Sequence, residues 1–340
     1  MPFNAEALES TISLARRGTI ERVKILVTGS AGHLGEALVR TLRAQHAQVI
    51  GVDILRTPFT DVVGSIAERA VVSECMRGVT HVLHAATLHK PQVATHARQD
   101  FVDTNITGTL NLLEAATQCG VRAFVFTSTT STFGDALTPP AGSPAAWITE
   151  DVTPIPKNIY GVTKTAAEDL CRMFHRNHAL SCLILRTSRF FPESDDVPER
   201  RTAFDGPNLK VNELLYRRVD IEDVVSAHLL AMEKAPALGF DKFIITATTP
   251  FERGDLAELG RDAPAVLARL YPQYPSIYAA RGWRMLPALD RVYVNARARE
   301  RLGWQPRSDF EQALRKVAAG VDYRSELART IGSKGYRPAG

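Results

Sequence analysis

The stretch from residue 23 to residue 35 constrains the chain most. A short apolar run, Val23–Thr28 (VKILVT), enters the loop Gly29-Ser30-Ala31-Gly32-His33-Leu34-Gly35, and Leu34–Gln45 continues with helical spacing. Apolar run, glycine turn and amphipathic helix together predict a strand, a tight turn and a helix. Glycine permits such a turn and lets backbone N–H groups approach a phosphate, and the helix N-terminus adds positive potential there. The spacing is G-x-x-G-x-x-G rather than the commoner G-x-G-x-x-G, so its context carries the reading. That context includes Asp53, which ends a second apolar run, Gln48–Asp53, 24 residues after Gly29. An acid at about that distance accepts hydrogen bonds from the adenosine ribose and repels a 2′-phosphate, which favours NAD over NADP. Arg56, three residues on, softens that repulsion.

The same alternation continues along the chain. Strands are expected at His81–His84, Ala123–Ser128, Cys182–Arg186 and Phe243–Ala247. Helices are expected at Ala67–Arg77, Arg98–Gln118, Ile159–His178 and Ile221–Lys234. This rhythm predicts an α/β fold with a doubly wound parallel sheet. After Arg186 the pattern loosens, and from Thr249 it is mostly helical with many prolines. The expected organisation is a nucleotide-binding domain over 20–186 plus about 218–248. A smaller, mostly helical substrate domain takes about 187–217 plus 249–330, and 1–19 form an N-terminal extension, read as a short amphipathic helix.

Composition removes several function classes. The 340 residues carry a net charge of +4 with no block of five like charges, which does not indicate a nucleic-acid binder. No apolar run approaches the length of a membrane span. The N-terminus contains acids and lacks an apolar core, so it does not read as a secretory signal. Cys75, Cys119, Cys171 and Cys182 include no C-x-x-C pair, which fits reduced thiols in a cytoplasm. His81, His84 and His89 lack metal-ligand spacing, and no metal is expected.

Tyr160-Gly161-Val162-Thr163-Lys164 is a Y-x-x-x-K on an expected helix, where positions i and i+4 share a face. A lysine ammonium beside a phenol favours the phenolate, which predicts a lowered Tyr160 pKa and a general acid/base. Taken together, Thr28–Gly35, Asp53, Tyr160 and Lys164 resemble the short-chain dehydrogenase/reductase superfamily. Within it they resemble the extended branch, the NAD-dependent epimerase/dehydratase family, whose nucleotide-binding domain is Rossmann-like. His84-Ala85-Ala86-Thr87 resembles the family's H-x-A-A segment beside the cofactor. Residues 105–115 (NITGTLNLLEA) match its N-x-x-G-T-x-N-L-L-E-A helix, and 126–134 (FTSTTSTFG) its serine-rich strand end. Residues 302–306 (LGWQP) resemble its L-G-W-x-P signature.

The resemblance implies roles. Thr129 falls on the family's catalytic hydroxyl, Tyr160 exchanges the substrate proton, and Lys164 also holds the nicotinamide ribose. Gly29, Gly32, His33, Leu34, Gly35, Asp53, Ser65, Ile66, Ala85, Ala86, Thr87, Asn105 and Thr127, with Tyr160 and Lys164, are the implied cofactor contacts. His33 stands where the family often has an aromatic, and covers the pyrophosphate in this reading. Ser65 stands where the family often has an acid near adenine. The Arg98–Gln118 and Tyr160-bearing helices imply a homodimer.

Departures narrow the chemistry. Family dehydratases carry Asp-Glu after the catalytic threonine and decarboxylases a Glu two residues after it; here those positions are Thr130 and Ser131. That argues against both activities. Arg189 replaces the asparagine that touches the nucleotide sugar in many family epimerases. It could bind a phosphate or carboxylate, or pair with Asp195 or Asp196; Ser131 and Arg189 are the candidate substrate contacts. Arg281, Arg284 and Arg291 lie where the family closes its substrate site with an arginine, and are read chiefly as a solvated basic face. Tyr216–Val224 resembles the R-D-Y-I-H-V-x-D stretch, with Asp223 structural. The expected function is an NAD-dependent epimerase of a nucleotide-linked sugar, working through a transient keto intermediate. The alternative is an NAD(P)-dependent dehydrogenase or reductase of a hydroxyl or carbonyl substrate. A non-catalytic NAD(P) sensor ranks last.

Overall fold

The computed structural model describes residues 23–335 apart from 141, 196 and 197. The expected N-terminal helix over 1–19 lies outside the described residues. Seven parallel strands form the main sheet: β1 (Lys24–Thr28), β2 (Gln48–Asp53), β3 (Val62–Val63), β4 (His81–His84), β5 (Ala123–Thr129), β7 (Cys182–Thr187) and β8 (Phe240–Ile245). Their order is β3-β2-β1-β4-β5-β7-β8. The chain winds outward one way from β1 through β2 and the other way from β4, so the switch point lies where β1 meets β4. Ligands in such sheets bind outside the strand ends at that point.

Alternation along the buried strands feeds two layers. Ile25 and Val27 of β1 pack with helices α1 (His33–Ala44), through Leu34, Leu38 and Leu42, and α6 (Ile221–Leu238), through Val224 and Val225. Leu26, Phe124 and Phe126 face the opposite layer. There α2 (Arg69–Cys75) contributes Val72, α3 (Gly108–Gln118) Leu112 and Leu113, and α4 (Ile159–His178) Ala167 and Phe174.

A separate apolar cluster lies largely in later chain. It joins Leu209 and Val211 of α5 (Gly206–Glu213), Leu267 of α7 (Ala263–Leu270) and Leu314 of α8 (Phe310–Ala318), with Phe251, Tyr278 and Leu289. A two-stranded parallel sheet pairs β6 (Ala146–Ile148) with β9 (Arg291–Tyr293); Val292 packs into this cluster, and Ile148 and Tyr293 join a smaller one with Phe133 and Ile244. The last described helix, α9 (Glu326–Ile331), returns to the sheet side and packs there through Ile331.

The structure departs from the expected pattern in three places. The last large strand is Phe240–Ile245 rather than Phe243–Ala247. Strands β3, β6 and β9, of two or three residues each, give no periodic signal. The helix expected over Arg98–Gln118 is interrupted by a π-helical segment, Val102–Thr107, which carries Asn105. Such a segment re-aims side chains within a helix. Among the described residues, no helix is long and apolar enough to cross a membrane, and no His/Cys/Asp/Glu cluster could hold a metal ion.

Candidate active site

The loop after β1 is shaped by close backbone approach. Gly29 has φ +72°, and a Cβ there would lie 2.7 Å from the Ala86 nitrogen. A Cβ at Gly35 would lie 1.9 Å from the Gly29 carbonyl oxygen. Gly32 is less demanding, with its nearest conflict at 3.2 Å. The turn therefore lies against the end of β4 and against its own helix, and residues 29 and 35 admit no side chain. This cradle at the N-terminus of α1 fits a dinucleotide diphosphate.

Asp53 is tied to the same loop. Its Oδ2 accepts from the Ala31 N–H at 2.9 Å and its Oδ1 from the Leu55 N–H at 2.9 Å. Each carboxylate oxygen retains a lone pair for a ribose hydroxyl. Thr28 Oγ1 accepts from the N–H groups of Ala85 and Ala86 and donates to His84 Nδ1 at 2.7 Å. His84 Nε2–H then donates to Thr109 Oγ1 at 2.9 Å, so His84 is a neutral cross-brace. Burial, with the Lys164 charge adding to it, holds His84 well below the usual imidazole range.

Several residues singled out as cofactor contacts spend their polar atoms within the protein. Asn105 Oδ1 accepts from Thr87 Oγ1 and the Leu88 N–H, both at 2.9 Å, and its Nδ2 donates to Thr163 Oγ1 at 3.0 Å. It thereby joins the β4 loop to α4. Ser65 Oγ accepts from the Ala67 N–H at 3.2 Å, and Ile66 is buried against Gly108, where a Cβ would meet it at 2.6 Å. The Thr127 hydroxyl donates to His228 Nε2 at 2.8 Å, on the α6 side of the sheet. That His228 ring donates its Nδ1–H to the Val224 carbonyl. Thr127 faces the catalytic side only through its carbonyl.

Thr129 ends β5 and Tyr160 lies in the first turn of α4, which Asn158 caps by accepting from the Gly161 N–H. The Thr129 hydroxyl lies beside the Tyr160 phenol and favours its ionised form. A Cβ at Gly161 would come within 3.0 Å of the Ser131 carbonyl, so the helix seats closely on the turn after β5. Lys164, 2% exposed, donates to the Thr127 carbonyl at 2.6 Å and lies 4.0 Å from the Phe126 ring centroid.

The electrostatics correct one expectation. Burial pushes the Tyr160 phenol up to about 12, and only the neighbouring Thr129 hydroxyl opposes it. Burial also pulls Lys164 down to about 7, against the opposing charge of Glu168. The ammonium spends its short bond on a backbone carbonyl, so desolvation outweighs the lysine–phenol attraction that Y-x-x-x-K suggests. Beneath the site lies Glu168, 0% exposed. It accepts from Ser128 at 2.6 Å, from Arg186 at 2.9 and 2.7 Å, and from Lys242 at 2.8 Å. Burial pushes Glu168 up, but the forked Arg186 and Lys242 outweigh it and keep the carboxyl ionised.

The region around Arg189 is charged. Arg189 approaches Asp195 at 3.3 Å and Glu213 at 3.9 Å. Asp196, its other candidate partner, lies outside the described residues. Glu213, 1% exposed, is held by Arg217 at 2.5 Å and Arg218 at 2.8 Å. Burial raises Glu213, but Arg217, Arg218 and Arg189 bring it down to about 2. Tyr293 stacks on Phe133, in the turn after Thr129, at 6.3 Å. Two buried donors here, Arg217 Nε and Ser188 Oγ, have no hydrogen-bond partner among the described residues.

With this geometry in place, the pattern of the NAD dependent epimerase/dehydratase family matches residues 25–242. The chain belongs to that family. It is therefore an enzyme-family member built on the sheet described above. A 3-beta-hydroxysteroid dehydrogenase of Mycolicibacterium neoaurum is 25% identical, with 93% of this chain and 95% of the relative covered. A UDP-glucose 4-epimerase of Streptomyces lividans is 26% identical, with 83% of this chain and 91% of the relative covered. Among solved structures, a short-chain dehydrogenase/reductase superfamily protein from Agrobacterium tumefaciens with bound NAD is 26% identical. It has a TM-score of 0.62, with 90% of this chain and 97% of that one covered. Sequence reasoning did not single out Glu213, Arg217, Glu193 or Lys334 as site residues. Glu213 and Arg217 share one segment, whereas Glu193 and Lys334 come from two others.

Proposed function

We propose that the chain is an NAD-dependent epimerase of a nucleotide-linked sugar. The observation that carries this reading is the juxtaposition of Thr129 and Tyr160 with the buried Lys164, set beside a glycine cradle that fits a dinucleotide. Gly29–Gly35, Asp53, Ser65, Ile66 and Ala85–Thr87 would hold NAD, with Asn105 and Thr127 fixing the surrounding loops. NAD, when bound, accepts a hydride from the sugar carbon and returns it.

The protein's own work is to position and to move a proton. Thr129 Oγ1 holds the reacting hydroxyl oxygen. Tyr160 Oη takes the hydroxyl proton as the carbonyl forms, and gives it back when the alcohol re-forms. Because burial holds the phenol near 12, the phenolate needs a cation close by, and a protonated Lys164 supplies it. Positions 130 and 131 are Thr and Ser, so no carboxylate follows Thr129 to drive elimination of water.

The arginine cluster supports an anionic substrate. Arg189, Arg217 and Arg218 face Asp195 and Glu213, and the unpartnered Arg217 Nε suits a phosphate oxygen. A dimer paired through α3 and α4 belongs to the same reading, with Val162 of α4 left 48% exposed. One observation favours the second reading, an exchanging dehydrogenase: the hydroxysteroid dehydrogenase relative aligns over nearly the whole chain. Cofactor content separates the two. Protein purified and denatured without added nucleotide should release near-stoichiometric NAD if the redox cycle is closed. Little released cofactor would favour the exchanging enzyme.

A further inference from the structure

Three segments distant in sequence meet at the dinucleotide loop. The first is the loop itself. His33 opens α1, and its Nε2–H donates to Glu193 Oε1 at 2.8 Å while its ring lies edge-on to Phe191. The second is the loop after β7, which carries Phe191 and Glu193. The third is the strap Gly332–Gly335 that follows α9. Gly332 has φ +59°, a turn that sends the chain back toward α1.

The strap is held at both ends. Ser333 Oγ and the backbone N–H groups of Lys334 and Gly335 all donate to Glu193 Oε1, at 3.0, 2.9 and 3.2 Å. Lys334 Nζ donates to the Ala31 carbonyl at 2.9 Å and pairs with Glu36 at 2.5 Å. Ala31 is the loop residue whose N–H binds Asp53. Glu193 Oε1 thus gathers four donors, whereas its Oε2 is buried without a partner among the described residues. Upstream, Asp220 fixes the strap's approach by accepting from the Ser325 N–H and hydroxyl.

We propose that His33, Glu193 and Lys334 form a latch that closes the C-terminal strap over the dinucleotide loop and sets the rate at which the cofactor enters and leaves. The proposal rests on the NAD reading above. The strap contacts the loop through residues that no substrate-handling group uses, so opening it exposes the cradle without disturbing Thr129, Tyr160 or Lys164. Glu193 shares its loop with Arg189 and Asp195, so the latch also ties the cofactor loop to the charged substrate side.

Cofactor exchange tests this directly. NADH fluorescence would follow binding, and displacement by excess NAD would follow release, for the unaltered chain, Glu193→Gln, Lys334→Ala and the double variant. The latch predicts that both rates rise, roughly tenfold in each single variant, as expected for loss of one charge-assisted anchor. It also predicts that the double variant is little faster than the singles, because either change opens the same strap. Hydrogen exchange at residues 333–335 should rise in both variants. The Lys334 side chain is 22% exposed, and the melting temperature checks that its truncation keeps the fold. Unchanged release in folded variants would overturn the latch while leaving NAD binding intact. Faster entry with unchanged release would overturn it too, because the strap would then be an obstruction and not a retainer. An unaltered chain that binds neither NADH nor NADPH would overturn the latch together with the cofactor reading.

Discussion

The two halves of the site are built by different physics. On the cofactor side, steric closeness does most of the work: two glycines admit no Cβ, and neutral braces such as Thr28–His84–Thr109 lock the loops. On the substrate side, charge does the work: Glu213 and Asp195 hold three guanidiniums in a partly buried cluster. A steric cradle accepts one shape of ligand and tolerates little change. A charged cluster can be retuned by moving one arginine, which suits the half that selects the substrate. The replacement of an expected asparagine by Arg189 belongs to that half.

The contrast can be broken from its centre outward. Tyr160→Phe removes the proton-transferring oxygen that both halves serve. It should lower kcat by about two to four orders of magnitude while leaving NAD binding unchanged, measured by steady-state rates and NADH titration. Gly35→Ala strikes the cradle. With a Cβ 1.9 Å from a backbone oxygen, either the loop or the helix start must shift. The expected result is a loss of about 2–4 kcal/mol in denaturant unfolding, with weakened NAD binding.

Glu213→Gln strikes the other half. It leaves Arg217 and Arg218 without their shared carboxylate, and unfolding should show a loss of about 3 kcal/mol. The acid limb carries the sign. Glu213 is held at about 2 in the folded chain, below its ordinary 4.5, so its contribution is complete above pH 4.5 and fades as pH falls toward 2. The variant should therefore lose stability at neutral pH and show a shallower acid transition across that window. Asp53→Asn should give the smallest effect. It keeps only one of the two accepted backbone bonds, because the amide nitrogen cannot accept from an N–H, and it removes the charge that repels a 2′-phosphate. The preference for NAD over NADP should narrow by about tenfold in competitive titrations.

The same contrast explains what could be read from the chain alone. Gly29, Gly35, Asp53, Tyr160 and Lys164 lie in short motifs whose spacing follows from a turn, a strand end or one helical face. Their surroundings were therefore legible, as were the five longer runs that became β1, β2, β4, β5 and β7. Three things were not. The short strands β3, β6 and β9 have too few residues to show alternation. The π segment around Asn105 has the same apolar spacing as a regular helix and differs only in how its backbone is bonded. The Tyr160 pKa followed burial rather than its lysine neighbour, because desolvation depends on every element packed around the ring. Glu213 and Arg217 lie four residues apart, but Arg189 and Asp195 join them only through the fold.

A closed redox cycle is the centre of the account, and product analysis tests it most directly. The purified chain would be incubated with UDP-glucose, UDP-glucuronate and UDP-N-acetylglucosamine, without added cofactor, and followed by proton NMR. The account predicts that at least one of them yields its 4-epimer with no net accumulation of NADH, and that Tyr160→Phe abolishes it. Absence of any epimer, together with steady reduction of added NAD by a free alcohol such as a hydroxysteroid, would contradict it.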